Sequence, residues 1–198
     1  MTVLINKNAW AAPATLDFSE LPVTPVHGLS ISGVTFDFRV AGAPSLDAQY
    51  SVSGIGSITY VHDLYLEGDS SGMLTLDFSA PTPLLGFGVS LSDFSVLTPG
   101  FTVELFDASL TSLGITPVAT TPLISYTEGL FDYLGTPVLR ASIDFNDMSS
   151  RFALDDLTFD VTAVPVPPPV AVPEPANIVL MGIGLIGIAS RRLKDQTE

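Results

Sequence analysis

Between Thr15 and Ala163 apolar and polar residues alternate in short runs, each broken by Gly, Pro, Ser or Asp. A period of two is what a half-buried strand demands, because successive side chains point to opposite faces. In VTFDFRV, Val34, Phe36, Phe38 and Val40 share one face, while Thr35, Asp37 and Arg39 share the other. The same pattern returns in Leu74, Leu76 and Phe78, in Leu85, Phe87, Val89 and Leu91, and in Leu139, Ala141, Ile143 and Phe145. No helical period separates the runs. Strands of about five to eight residues, recurring roughly every 10, predict an all-β fold, an antiparallel two-sheet sandwich or jelly roll spanning residues 14–163.

One run breaks its own rule. In RFALDDLTFDV, Phe152 and Leu154 occupy one parity, but Leu157, Phe159 and Val161 occupy the other. A strand that keeps its apolar residues inward can change parity only by accommodating an extra residue. Asp155 and Asp156 are therefore expected at a β-bulge or strand break. If the first and last strands are neighbours, Asp17 or Glu20 comes near this pair. Two or three carboxylates with carbonyls and water would suit calcium, which takes six to eight oxygens at about 2.3 to 2.6 Å. Calcium is the one cofactor suggested in this way; a solvated acidic turn is the plainer alternative.

The 198 residues carry 7 Lys and Arg against 21 Asp and Glu, a formal net charge of -14, which disfavours nucleic acid as a partner. There is no cysteine, so disulfides and thiolate metal sites are excluded. The positive charge is unevenly placed: Lys7, Arg39, Arg140 and Arg151 lie in the body, whereas Arg191, Arg192 and Lys194 crowd the end. At the other terminus, Ala9-Trp10-Ala11 has the small-x-small pattern of a signal-peptidase site. Residues 1–13 are accordingly expected to be the remnant of a signal peptide whose apolar part lies upstream; an ordinary N-terminus with a chance pattern is the other reading.

Residues 164–172, VPVPPPVAV, cannot join a ladder because proline has no N–H, and they read as an extended spacer. Beyond it, Ile178 to Ala189 is an uninterrupted apolar run followed by the basic cluster. A helix over 177–190 would span about 20 Å, short of the roughly 30 Å hydrocarbon layer, but arginine snorkelling and local thinning let such a helix insert. Basic residues on one flank place that flank in the cytoplasm and the sandwich outside, with Arg191, Arg192 and Lys194 as the stop-transfer group. Gly182, Gly184 and Gly187 also satisfy G-x-G-x-x-G. No acidic residue follows at the ribose-binding distance, so a dinucleotide site is rejected.

Val172-Pro173-Glu174-Pro175-Ala176, the glycine-rich apolar run and the terminal arginines together resemble a PEP-CTERM protein-sorting signal over residues 173–198. The resemblance implies export, tethering by the tail in the inner membrane with the ectodomain in the periplasm, and processing by an exosortase that recognises Pro173, Glu174 and Pro175. It further implies a Gram-negative bacterium that makes exopolysaccharide, with the protein at the cell surface or outside the cell after processing. The body, from TLDFSELP through FTVELFDASLTSLG to FALDDLTFD, is similar to the β-sandwich ectodomains that accompany such signals.

Catalysis is not expected. Only His27 and His62 offer a neutral-pH base, no G-x-S-x-G elbow is present, and no pair of carboxylates stands out by spacing. The expected function is that of an exported surface or extracellular-matrix protein. The alternative is a calcium-dependent carbohydrate-binding module acting on exopolysaccharide. Such modules stack sugars on exposed aromatics, and outside the suspected signal segment with Trp10 only Tyr50, Tyr60, Tyr65, Tyr126 and Tyr133 remain among tyrosines and tryptophan.

Overall fold

The computed structural model describes residues 13–56, 58–146 and 151–160. The chain divides into two units, residues 1–163 and 164–198, and the described residues all belong to the first. The signal remnant before Pro13, the spacer, the sorting motif, its helix and the basic cluster lie outside the described residues. Within them every regular element is a strand and every pairing is antiparallel.

Twelve strands follow in chain order: β1 Pro13–Leu16, β2 Thr24–Pro25, β3 Ser30–Ile31, β4 Val34–Val40, β5 Ala43–Pro44 and β6 Gln49–Val52. Then come β7 Tyr65–Asp69, β8 Gly72–Leu91, β9 Leu97–Phe106, β10 Ser112–Pro122, β11 Thr127–Asp144 and β12 Arg151–Asp160. The expected short strands hold for β4 and β7, but β8 and β11 run 20 and 18 residues. These two pair along most of their lengths, with register shifts between Leu134 and Arg140. Their halves serve different layers. The first half of β8 and the last of β11 lie between β4 and β9, and the other halves lie beside β12, which continues into β7, β6 and β2.

Alternation decides which side chains meet between the layers. Val34, Phe36 and Phe38 of β4 and Leu74 and Leu76 of β8 are fully buried, as are Val89 of β8 and Leu154 of β12. Rings close the gap: Phe38 stands 5.8 Å from Phe152, Phe78 5.3 Å from Phe159, and Phe87 6.3 Å from Phe101. Each such side chain contributes about 1.5–3 kcal/mol on burial, so this seam is the main source of cohesion. The result is the sandwich that the alternation implies.

The ends of the sandwich lie together. Pro13 of β1 pairs with Asp160 of β12, and Leu16 with Leu157. The parity break is resolved as anticipated: between Asp155 and Thr158 of β12 the partner strand β8 advances only from Gly88 to Gly86, so β12 carries one extra residue. Asp156 takes it up with a φ of 53°. Leu154 and Leu157 consequently both face the core.

Candidate functional site

The bulge lies under a loop. The described residues between β6 and β7, 53–56 and 58–64, cross the outward face of the layer containing the second half of β8. That face is outward because Leu85, Phe87, Val89 and Leu91 point the other way into the core. Gly86 and Gly88 alternate with them, and Gly88 makes room for the loop: a Cβ there would stand 2.0 Å from the carbonyl oxygen of Tyr60. Val61 is buried with Tyr65 and Ala153 in a small second cluster, against which Val52, Ile55 and Ile58 pack.

Two buried carboxylates hold the loop down. Glu128 of β11 accepts the backbone N–H groups of Thr59 at 3.0 Å and Tyr60 at 3.2 Å through its Oε2. Asp155 of β12 accepts that of His62 at 2.7 Å. Asp63 closes the loop on itself by accepting from Gly54 and Gly56. Asp155 is 1% exposed, and burial pushes its carboxyl up to about 6. Two backbone N–H bonds and His62 oppose that rise, while Asp156 adds to it.

His62 Nδ1 lies 3.6 Å from Asp155 Oδ2 and 3.6 Å from Asp156 Oδ2. One donor atom from each of the three lies within 4.8 Å of the others, close enough to be drawn onto one metal ion. The expected quartet is thus divided. Asp155 and Asp156 are together with His62, whereas Asp17 and Glu20 make other contacts. Asp17 accepts the hydroxyl and the backbone N–H of Ser19, which hold its carboxyl below the usual range. Glu20 accepts the hydroxyl of Tyr50, whose own ionisation is pushed up first by burial and then by that bond. The adjacency of β1 and β12 that motivated the quartet is present, but the Asp17 and Glu20 carboxylates are engaged locally.

Beside the loop runs an open groove of about 540 Å³, lined by Tyr60, Gly86, Leu130, Asp132, Asp156 and Thr158 among others. Tyr60 is 38% exposed, whereas Tyr50 and Tyr65 are buried. Of the sequence's aromatic candidates, Tyr60 and Tyr133 both line this groove, beside the Asp132 and Asp156 carboxylates. The sequence offers His62 only as a base candidate and does not single out Glu128, because their partners lie 93 and 68 or 69 residues away in the chain. The glycine alternation in Gly86 and Gly88 was the one local sign that something covers this face. His27 lies elsewhere, with Nδ1 3.0 Å from Asp37. The three described arginines are all engaged: Arg39 with Asp37, Arg140 with Asp77, and Arg151 with Asp47 and Glu67.

The terminal signal at residues 171–193 implies an exported protein handled by an exosortase at the membrane. Residues 171–193 match the PEP-CTERM protein-sorting motif, and the chain carries that motif. A comparison with curated proteins finds no match. Among solved structures, a family 29 carbohydrate binding module is similar at 10% identity and a TM-score of 0.40, over 75% of this chain and 88% of that one. A second is the CBM22-1 and GH10 modules of the Clostridium thermocellum endo-1,4-beta-D-xylanase 10B, complexed with xylohexaose. It has 14% identity and a TM-score of 0.39, over 72% of this chain and 28% of that one.

Proposed function

We propose that this chain is a surface or extracellular-matrix protein, tethered in the inner membrane by its tail with the sandwich in the periplasm, then processed and released by an exosortase. The observation that carries this reading is the sorting motif over residues 171–193. Two prolines hold the chain extended at Pro173 and Pro175, which leaves the Glu174 carboxylate presented to an enzyme. Arg191, Arg192 and Lys194 then act as the cytoplasmic stop. The body performs no catalysis of its own in this reading. Fractionation of the native host with and without its exosortase tests it. Release in the wild type and retention in the membrane fraction of the exosortase deletion are expected. Identical distribution in both strains would overturn it.

A second reading, favoured by the groove, is that the sandwich holds a polysaccharide of the host's own matrix. Tyr60 offers a ring face for a sugar, Asp132, Asp156 and Thr158 offer polar partners to hydroxyls, and Gly86 lets the ligand approach the backbone. The calcium dependence expected from the acidic residues belongs to this reading. Calorimetry of the full chain with the host exopolysaccharide, with calcium and with chelator, tests both parts. Heat that disappears in Tyr60→Ala supports it, and absence of heat with the wild type removes it.

A further inference from the structure

We propose that His62, Asp155 and Asp156 form a three-ligand site for a divalent transition-metal ion of the zinc class, which fastens the 53–64 loop to the β12 bulge. The spacing is the first reason. Both carboxylate oxygens stand 3.6 Å from Nδ1 of His62, beyond the roughly 2.7–3.2 Å of a hydrogen bond. Ligands about 2.0–2.2 Å from a tetrahedral centre are separated from one another by about 3.4 Å, so each oxygen already stands near ligand spacing from Nδ1, and the three atoms, all within 4.8 Å of one another, close on the ion.

Donor chemistry gives the second reason. One imidazole and two carboxylates suit zinc and its neighbours, whereas calcium takes only oxygens and wants six to eight of them. Asp17 and Glu20, which would have supplied the missing oxygens, are engaged with Ser19 and Tyr50.

The third reason is Asp155 itself. It is 1% exposed, and among the described residues it accepts two backbone N–H groups and no side-chain hydrogen bond. Its neighbours are His62 and a second carboxylate, so a buried anion faces another anion with no cationic side chain paired to it other than a protonated His62. A dication between them removes that conflict. The extra residue of the bulge is what allows it, since a regular strand would direct successive side chains to opposite faces. His62 and Asp156 are about half exposed, which leaves the ion an entry path and a water to complete the shell.

The test uses the untagged full-length chain, stripped with chelator and then titrated with zinc, cobalt or calcium chloride. Zinc at a hundredfold its dissociation constant should raise the thermal midpoint by about 5 to 10 °C. Cobalt should give the strong visible absorption of a tetrahedral site in the wild type. Both responses should vanish in His62→Ala, which in chelator should unfold at the wild-type temperature because its ring lies half exposed in a loop. An unchanged wild-type midpoint with zinc overturns the proposal, as does an equal rise in His62→Ala. A rise with calcium and none with zinc also overturns it, in favour of an all-oxygen site. The cobalt spectrum keeps the test decisive if the variant fails to fold.

Discussion

Gly88→Ala should detach the loop from the sheet while leaving the sandwich folded. The added methyl would sit 2.0 Å from the Tyr60 carbonyl oxygen and 2.8 Å from the carbonyl carbon. Ordinary contact begins near 3.4 Å. Since the atoms met are backbone, no rotamer change relieves the overlap, and the segment must rise by more than 1 Å, too far for the hydrogen bonds beneath it. Three N–H groups then leave the Glu128 and Asp155 carboxylates. Bonds to charged groups are worth about 1.5–3 kcal/mol each, so the low end gives a loss of about 4.5 kcal/mol. Exposure of Val61, now fully buried, adds about 1.5 kcal/mol. Freeing the backbone of Thr59 to His62 returns about 1 kcal/mol per residue, which leaves a net destabilisation of about 2 kcal/mol. Urea unfolding of the full-length protein reads that difference, and hydrogen exchange at the amides of Thr59, Tyr60 and His62 reads the detachment. Gly86→Ala is the control: its methyl would meet the Asp132 carboxylate at 3.0 Å, a side-chain end that can swing away. Equal urea midpoints for Gly88→Ala and wild type, with the three amides still protected, would refute the reasoning.

Glu128→Ala removes the acceptor for two loop N–H groups and should cost about 2–3 kcal/mol in urea, with exchange accelerating at Thr59 and Tyr60 before it does in β4. Replacing Pro173, Glu174 and Pro175 together by alanine should stop processing, so that an immunoblot of the native host shows the full-length protein accumulating in membranes. Processing at the wild-type rate would refute the recognition role. Acid should weaken the fold through Asp17 and Asp69, whose carboxyls are held below 3.8 chiefly by hydrogen bonds from Ser19 and Ser71. A carboxyl depressed in the folded state contributes above its unfolded value and loses that contribution as pH falls through the folded one. Urea midpoints should therefore drop below about pH 4, and less so in a Ser19→Ala, Ser71→Ala variant.

Alternation made the layers legible because β4, and β8 near Leu74, each bury one face and leave the other partly exposed. The parity break at Asp155 was legible for the same reason, since a bulge is the one way to keep Leu154 and Leu157 both inward. The length of β8 was not. Proline ordinarily interrupts a strand, but Pro81 and Pro83 lie within β8, where it passes from one layer to the other and its neighbours change from β4 to β12. Gly86 and Gly88 looked like weak strand positions, and the reason for Gly88, a loop lying directly on it, depends on a contact 28 residues upstream in the chain. The metal-ligating geometry failed in the same way. Carboxylate chemistry was visible at Asp155 and Asp156, but the third donor arrives through a fold-dependent approach of His62, and nothing local in HDL announces it.

The setting of β12 also governs how the body would respond to being pulled. The strand is gripped on one side by β8 and on the other by β7 along its first half and β1 along its second. Its last residue, Asp160, is the last described residue of the body, and a load applied there in the strand's own direction would meet both ladders. Hydrogen bonds in such a ladder lie across the strand, so the load does not unzip them one at a time. It must shear both flanks together, the geometry in which a sheet resists longest. The opposite edge has only one long flank: β10 pairs with β9 and touches β11 through only two residues. Under a load applied through Asp160 along β12, the body is thus mechanically hardest where the tension enters.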